Sequence, residues 1–413
     1  MGKIDTDVLI VGAGPSGLAA GLALRRHGVE HVLVVDRERE AGGIPRHCYH
    51  TGFGIRDMFR ILTGPSYAAR YVRMAQRAGV QIRTETSVTD WCNPNHLQAT
   101  SPEGRLDIQT KAVILATGCR ERPRTARLIP GNRPAGIFTT GALQNFVYLH
   151  NFPVGKHALV VGADHVGFSA IMTLKHAGVD VAAMTTHLPD HQSYFVYKLI
   201  SATRYRVPIW TNLRVTNVLG SKRVEAVELT SVLDGSTSIV ECDTVVFAGD
   251  WIPDYALSFA GGLAHDTQSN SPQVDLGFHT SVDGVFAVGN LIHPAETADI
   301  AALSGRYAAR SVNHYLQGKK WSEPRITIEV DAPLLWVSPQ MIAHGQTGTA
   351  QGYFILRVTQ FLKRPMLEVW QGNRRLWQQR YWQMIPNLPV HLSDKWLDQV
   401  DSTGDSVQLR IVS

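Results

Sequence analysis

Asp7-Val-Leu-Ile-Val-Gly12-Ala-Gly14-Pro-Ser-Gly17-Leu-Ala-Ala, near the N-terminus, reads as a buried strand, a tight turn and the start of a helix. Gly12 allows the turn, Gly14 lets the backbone approach a pyrophosphate with no Cβ in the way, and Gly17 lets the helix pack close to the strand. The helix N-terminus then offers N–H groups to an anion. A second strand, His31-Val-Leu-Val-Val-Asp36, ends in an acid 24 positions after Gly12, where a carboxylate can take up ribose hydroxyls. Strand, turn, helix, strand and terminal acid stand in register and predict a dinucleotide-binding unit.

The pattern returns about 150 residues later as Ala158-Leu-Val-Val-Gly162-Ala-Asp164-His-Val-Gly167, with Asp164 in place of the middle glycine. A pyrophosphate there would meet a Cβ and a carboxylate, and unit charges ~4 Å apart at an effective dielectric near 20 repel by about 4 kcal/mol. The strand that follows, Val179-Asp-Val-Ala-Ala-Met-Thr-Thr-His187, lacks both the terminal acid expected for NAD and the arginine expected for NADP. NAD(P) binding at this second turn is therefore doubtful.

With 413 residues, 44% of them hydrophobic, the chain can bury cores in two or three domains. Its net charge of +5 is mild and its Lys and Arg residues are scattered, which argues against nucleic acid as a partner. No apolar run approaches the ~20 residues of a membrane span, and the first strand begins too near Met1 to leave room for a signal peptide. Cys48, Cys92, Cys119 and Cys242 are too far apart for a CxxC pair or a cysteine-ligated cluster, so no metal site is expected and a reducing cytoplasm is the expected location.

After the first unit comes a glycine-rich loop, Ala41-Gly42-Gly43-Ile44-Pro45-Arg46-His47-Cys48-Tyr49-His50-Thr51-Gly52-Phe53-Gly54, too glycine-rich for a helix. It leads into an amphipathic stretch from Tyr67 to Gly79. Strands are expected at Val80–Thr84 and Leu106–Thr110, and Lys111-Ala-Val-Ile-Leu-Ala116-Thr117-Gly118 reads as a core strand ending in small residues. The Arg- and Pro-dense run 120–133 predicts a crossover, after which Cys242–Asp250 closes the second unit. Asp283-Gly-Val-Phe-Ala-Val-Gly289-Asn290 then predicts a returning strand, with a helix from Ala298 to Leu316. Beyond Lys320 the composition shifts: the tail holds six of the nine tryptophans and alternating segments such as Tyr353–Val358 and Met366–Trp370, which predict a small β-rich domain with a Trp-lined core.

With these segments in order, residues 5–318 resemble the flavoproteins that have two dinucleotide-binding domains, the thioredoxin reductase and glutathione reductase class. More narrowly, Gly42-Gly-Ile-Pro-Arg-His, Gly118-Cys-Arg-Glu-Arg-Pro-Arg and Arg133-Pro-Ala-Gly-Ile-Phe-Thr-Thr-Gly are similar to the flavin subunits of opine oxidase, hydrogen cyanide synthase and dye-linked proline dehydrogenase. The resemblance implies an α/β fold with two Rossmann-like (FAD/NAD(P)-binding) three-layer domains plus a small β-rich C-terminal domain. The implied divisions are 1–120 with 275–320 for FAD, 121–274 for the NAD(P)-binding-like domain, and 321–413. It implies FAD contacts from Gly12, Gly14, Pro15, Ser16, Gly17, Asp36, Arg37, Gly43, Ile44, Val88, Ala116, Thr117, Gly118, Gly289, Asn290, Thr297 and Ala298. The class's Gly-Asp stands here as Gly289-Asn290, its redox disulfide is absent, and the cysteine-rich iron–sulfur segment of several amine dehydrogenases is missing.

In this class the glycine-rich loop runs beside the flavin, so His47, Cys48 and His50 are candidate proton donors or acceptors, His47 first among them. Glu296 is a fourth candidate, with capping of the following helix, alone or with Asp299, as its alternative role. The leading expectation is an FAD-dependent oxidoreductase that oxidises a small organic substrate, an amine or amino acid, and passes electrons to a redox partner protein or a quinone-like acceptor. An NAD(P)H-dependent flavoprotein reductase and a non-catalytic FAD-binding component of a larger complex are the alternatives.

Overall fold

The computed structural model describes residues 2–319 and 325–412; Lys320 and Trp321, where the tail is expected to begin, lie outside the described residues. The chain forms two compact units. One comprises Met1–Arg46, Thr51–Cys119 and Pro253–Ser413, the other His47–His50 and Arg120–Ile252.

In the first unit Val8, Leu9, Ile10 and Val11 are all buried, as a strand covered on both faces requires. Their strand, Gly2–Val11, lies between Val32–Val35 and Gly104–Leu115, parallel to both. Gln81–Arg83 extends the sheet at one edge, His96–Ser101 and Ser87–Asn93 extend it antiparallel at the other, and Val285–Ala287 returns to pair with Gly104–Leu115. The helices Pro15–Arg26 and Ala298–Leu316 pack against each other so closely that a Cβ on Gly305 would run into the Ser16 carbonyl. This contact draws the returning segment onto the first glycine turn.

The tail lies in this unit with sheets of its own. Met341–Ala343, Arg325–Val330, Val407–Val412, Met366–Gln371 and Arg374–Arg380 form a five-stranded sheet, and Leu334–Ser338, Tyr353–Val358 and Val390–Ser393 a three-stranded one. Their shared core includes Phe354 stacked on Trp396, centroids 5.1 Å apart, and it takes in Leu276 from outside the tail. Trp336 and Trp396 are buried as expected of core tryptophans, whereas Trp382 is 75% exposed.

The second unit is built on a parallel sheet in the order Ile137–Thr139, Thr244–Phe247, His157–Val161, Asp180–Thr185, Ile209–Trp210. The antiparallel strands Leu213–Leu219, Ala226–Ser231 and Thr237–Glu241 complete it. The helix His165–His176 follows the second glycine turn.

Four local expectations change. The two strands expected over 106–118 are one, Gly104–Leu115, in which Thr110 Oγ1 accepts from Leu9 N at 3.1 Å and bonds back to Ala112 O at 2.8 Å, keeping a polar residue in line. The amphipathic helix begins at Gly64, capped by Thr63, and not at Tyr67. The glycine-rich loop holds a 3₁₀ turn, Ile44–His47, and a short strand, Thr51–Phe53. Residues 253–274 count with the first unit, where the second was expected to run to 274. Among the described residues no helix is long and apolar enough to cross a membrane.

Gly305→Val should destabilise the protein by ~1–3 kcal/mol or more, since overpacking against fixed backbone has no soft neighbour to move. Thermal unfolding followed by circular dichroism should show a clear fall in midpoint.

Candidate flavin and nucleotide sites

At the first turn Gly14 is the N-cap of the helix Pro15–Arg26, with φ −77° and no side-chain cap hydrogen bond. Any residue can adopt that backbone conformation, and a Cβ built on Gly14 meets no atom within 4 Å. Neither strain nor packing demands glycine here; what it provides is open space in front of helix N–H groups that carry no side-chain cap. Pro15 at the first helical position leaves no donor to satisfy there. An anion of pyrophosphate size fits this cradle.

The other expected contacts gather around it. Asp36 Oδ2 accepts from Ala13 N at 2.6 Å and Oδ1 from Glu38 N at 2.9 Å, so the acid stands directly beside the turn. Thr86 N donates to Asp36 O, which starts the Ser87–Asn93 strand, and Val88 with it, next to that acid. Arg37 is largely exposed and pairs with Asp254 at 3.3 Å. Gly42 N donates to Ala13 O, and a Cβ on Gly43 would lie 2.9 Å from Gly14 Cα. Ile44 follows, half exposed. Ala116-Thr117-Gly118 is fastened at its end: Thr117 Oγ1 donates to Asp254 O and Asp254 N donates to Gly118 O, both at 2.8 Å.

The returning segment supplies the second half. Gly289 lies against the Ser16 side chain, and Gly289 N donates to Ser304 Oγ at 2.8 Å. Asn290 Nδ2 donates to Glu296 O at 2.9 Å, which leaves Oδ1 buried with no hydrogen-bond partner among the described residues. An orphaned buried acceptor is costly, and a ribityl hydroxyl would satisfy it. Thr297 is the N-cap of Ala298–Leu316 without a side-chain cap bond, so that N-terminus also presents N–H groups, as the flavin pyrimidine edge requires. The residues present therefore fit FAD.

Glu296 and Asp299 do not cap this helix. Asp299 accepts from Arg56 N at 3.1 Å, and Glu296 is in a buried ion pair with Arg357 of the tail, Nη2 to Oε1 2.6 Å. Arg357 also lies over the Trp336 ring at 5.1 Å. Beside them His293 is fully enclosed, with neither ring nitrogen hydrogen-bonded among the described residues, and burial lowers its pKa to about 4. It borders a cavity of about 20 Å³ with Phe278, Tyr353 and Ile355.

In the second unit the equivalent helix start is already filled. Asp164 is the N-cap of His165–His176, and its Oδ1 accepts from Val166 N at 3.0 Å and Gly167 N at 2.9 Å. These are the donors a pyrophosphate would use. Burial pushes the Asp164 carboxyl up, while Gly167 N–H, Val166 N–H and Arg127 pull it down. Arg127 donates to Gly249 O, Ala248 O and Arg122 O, and Glu121 accepts from Gly141 N at 2.7 Å and Gly249 N at 3.3 Å. Burial raises Glu121 to about 7, with the charge of Asp164 adding to the shift. Sequence reasoning placed no role on Glu121 or Arg127; Glu121 stands within the run Gly118-Cys-Arg-Glu-Arg-Pro-Arg and Arg127 three residues beyond its end.

The loop residues expected to do proton chemistry lie in this second unit. His47 ends the 3₁₀ turn, half-buried. Cys48 is buried, donates to Gln144 Oε1 at 3.3 Å, and is pushed up to about 12 by burial and by Glu121. Such a thiol holds its proton throughout the neutral range, which removes it from acid–base exchange. Tyr49 stacks on Tyr148 with centroids 4.2 Å apart. Tyr49, His50, Gln144, Tyr148, Met172 and His176 are among the residues around a cavity of about 300 Å³, with Gln144 Nε2 donating to Ser169 Oγ at 2.8 Å in its wall.

An open phosphate cradle, a returning Gly-Asn segment and a second dinucleotide-type unit define a two-dinucleotide-domain flavoprotein oxidoreductase, with FAD as its cofactor. The chain belongs to the pyridine nucleotide-disulphide oxidoreductase family, whose pattern matches residues 6–305. It is 24% identical over 325 residues to the alpha chain of sarcosine oxidase from Rhizobium meliloti (strain 1021), covering 74% of this chain and 30% of that protein. It is 26% identical over 333 residues to one of the subunits of opine oxidase from Agrobacterium tumefaciens (strain Ach5), covering 73% and 64%. The chain thus spans less than two thirds of either relative. Among solved structures, T. acidophilum thioredoxin reductase superimposes with a TM-score of 0.63 at 22% identity, over 75% of this chain and 98% of that one. L-proline dehydrogenase from P. horikoshii gives 0.57 at 18% identity, over 77% and 57%. These likenesses establish the fold.

Gly14→Val should purify without flavin and melt where flavin-stripped wild type melts, because its Cβ meets no protein atom within 4 Å. Absorbance near the flavin band, set beside the unfolding curve, separates the two effects. A second expectation concerns pH. Glu121 has a folded pKa raised from 4.5 to about 7, so the stability associated with its protonated form is complete below pH 4.5 and is lost as pH rises through 7. Glu121→Gln should flatten that decline in denaturant midpoints measured between pH 5 and 8.

Proposed function

We propose that this protein is an FAD-dependent oxidoreductase that takes electrons from a small organic substrate, an amine or amino acid, rather than from a nicotinamide. It would pass them to a redox partner protein or a quinone-like acceptor. The observation that carries this reading is the contrast between the two helix starts: Gly14 leaves the first open, whereas Asp164 spends its own carboxylate on the second. A nicotinamide dinucleotide would have to displace a buried capping carboxylate braced beside Arg127 and meet its charge as well. Two relatives are named as subunits of oxidases of sarcosine and opines, which supports an amine or amino acid as donor and a partner as acceptor.

When bound, FAD supplies a two-electron acceptor. The chain's own residues would hold it through the Gly14 turn, Asp36 and Asn290, and the N-terminus of Ala298–Leu316 would offer its N–H groups to negative charge on the reduced ring. The cavity bounded by Tyr49, Tyr148 and His50 has the size and mixed lining of a small-molecule pocket. Of the candidates His47, Cys48, His50 and Glu296, His50 is the one that lines this cavity, and it would accept a proton from a substrate ammonium.

Anaerobic titration of the yellow protein tests this directly. Secondary amines or amino acids should bleach the flavin band, while millimolar NADH and NADPH leave it standing. Rapid stoichiometric bleaching by either nicotinamide would replace this reading with that of a reductase. Met172→Trp, which fills the cavity, should raise KM for the reducing substrate by roughly tenfold or more at unchanged flavin content.

A further inference from the structure

The helix Phe195–Ile200, which continues through Ser201–Tyr205, is amphipathic in the wrong sense for a soluble surface. Tyr197 and Ser201, one turn apart, face the protein. The Tyr197 ring lies 5.8 Å from Phe168 and 5.1 Å from His165, and Ser201 Oγ donates to Val207 O at 3.1 Å. The outer face carries Phe195, Val196, Leu199 and Ile200, which are 72%, 53%, 50% and 38% exposed, with Tyr194 before them at 52%. No residue from 195 to 200 is buried. Single exposed apolar residues need no explanation, but five within seven positions form a face that water disfavours.

Charge identifies what covers it. Between Asp190 and Val207 the sequence has no acidic residue but has Lys198, Arg204 and Arg206. Lys198 stands on the helix and pairs with Asp190 at 3.3 Å, while Arg204 and Arg206 are exposed at its C-terminal end. A second copy of this chain docking through the same face would bring these cations against their own counterparts. An anionic bilayer surface matches both features at once: the aromatic and aliphatic side chains enter the acyl boundary and the long cationic ones reach the phosphates. We propose that this face docks the protein peripherally on anionic membrane, with Phe195, Val196 and Leu199 inserted and Lys198, Arg204 and Arg206 at the headgroups.

The test uses the full FAD-loaded chain, sedimented with phosphatidylcholine vesicles that contain either no phosphatidylglycerol or roughly a third of it. Binding is expected to the anionic vesicles, to weaken in high salt, and to fall by roughly tenfold or more in Phe195→Ser/Leu199→Ser. Arg204→Gln/Arg206→Gln should lose the preference for anionic lipid. The altered side chains point outward, so flavin absorbance and melting temperature should stay unchanged and report that the fold survives. No vesicle binding, or equal binding by wild type and the serine pair, would overturn the proposal. A lipid-free dimer that the serine pair dissolves would overturn it in favour of a second copy.

Discussion

The first turn of every helix leaves N–H groups that its own backbone cannot satisfy, and the functional reading of this chain turns on what meets them in three places. At Pro15–Arg26 no side chain caps the start, and no protein atom stands within 4 Å of a Cβ built on Gly14. At Ala298–Leu316 the N-cap Thr297 makes no capping bond either. At His165–His176 the carboxylate of Asp164 takes two of the donors. The first two starts belong to the unit that fits FAD. The third is stable without any ligand, since an Asp N-cap contributes typically ~1 kcal/mol. An aspartate in place of the middle glycine thus satisfies with its own side chain two donors that the first turn leaves uncapped.

Much of this was legible because it is local. The strand–turn–helix–acid pattern, the returning strand and the helix Ala298–Leu316 each follow from spacing within a few tens of residues. Asp164 stood out in the sequence for its Cβ and its charge; the structure adds that its carboxylate caps the helix through Val166 N and Gly167 N. What escaped is non-local. Nothing near Glu296 in sequence announces Arg357, 61 residues on, and the sequence offered helix capping as the more ordinary fate of that acid. The inverted helix at 195–200 also escaped, because an apolar hexapeptide reads as core unless its inward face is known.

The ion pair of Glu296 and Arg357 gives the tail a specific bearing on the first unit. It is buried on both sides and Arg357 is further held over Trp336. Buried pairs of this kind are often little better than apolar substitutes in net stability, but losing one partner strands a charge and costs ~3–5 kcal/mol. Its value is geometric. Glu296 O accepts from Asn290 and is followed at once by the N-cap Thr297, so fixing the Glu296 side chain fixes the backbone that orients the Asn290 amide and starts the helix. The tail thereby braces the backbone that accepts from Asn290 and begins the Ala298–Leu316 helix.

The same enclosure narrows the acid–base chemistry. Cys48 is held as a thiol, His293 as a neutral imidazole near neutral pH, and Glu296 as a paired carboxylate, each by burial or a committed partner. Glu121, raised to about 7, titrates in the right range but bonds to Gly141 and Gly249 inside the filled nucleotide turn. The imidazoles at the wall of the tyrosine-lined cavity, His50 and His176, are different in being half-buried and exposed, respectively, beside a space large enough for a ligand. A reaction that removes a hydride together with a proton needs a base that exchanges with solvent between turnovers. Burial and committed partners therefore set Cys48, His293 and Glu296 apart from solvent, whereas His50 and His176 border a space that solvent reaches.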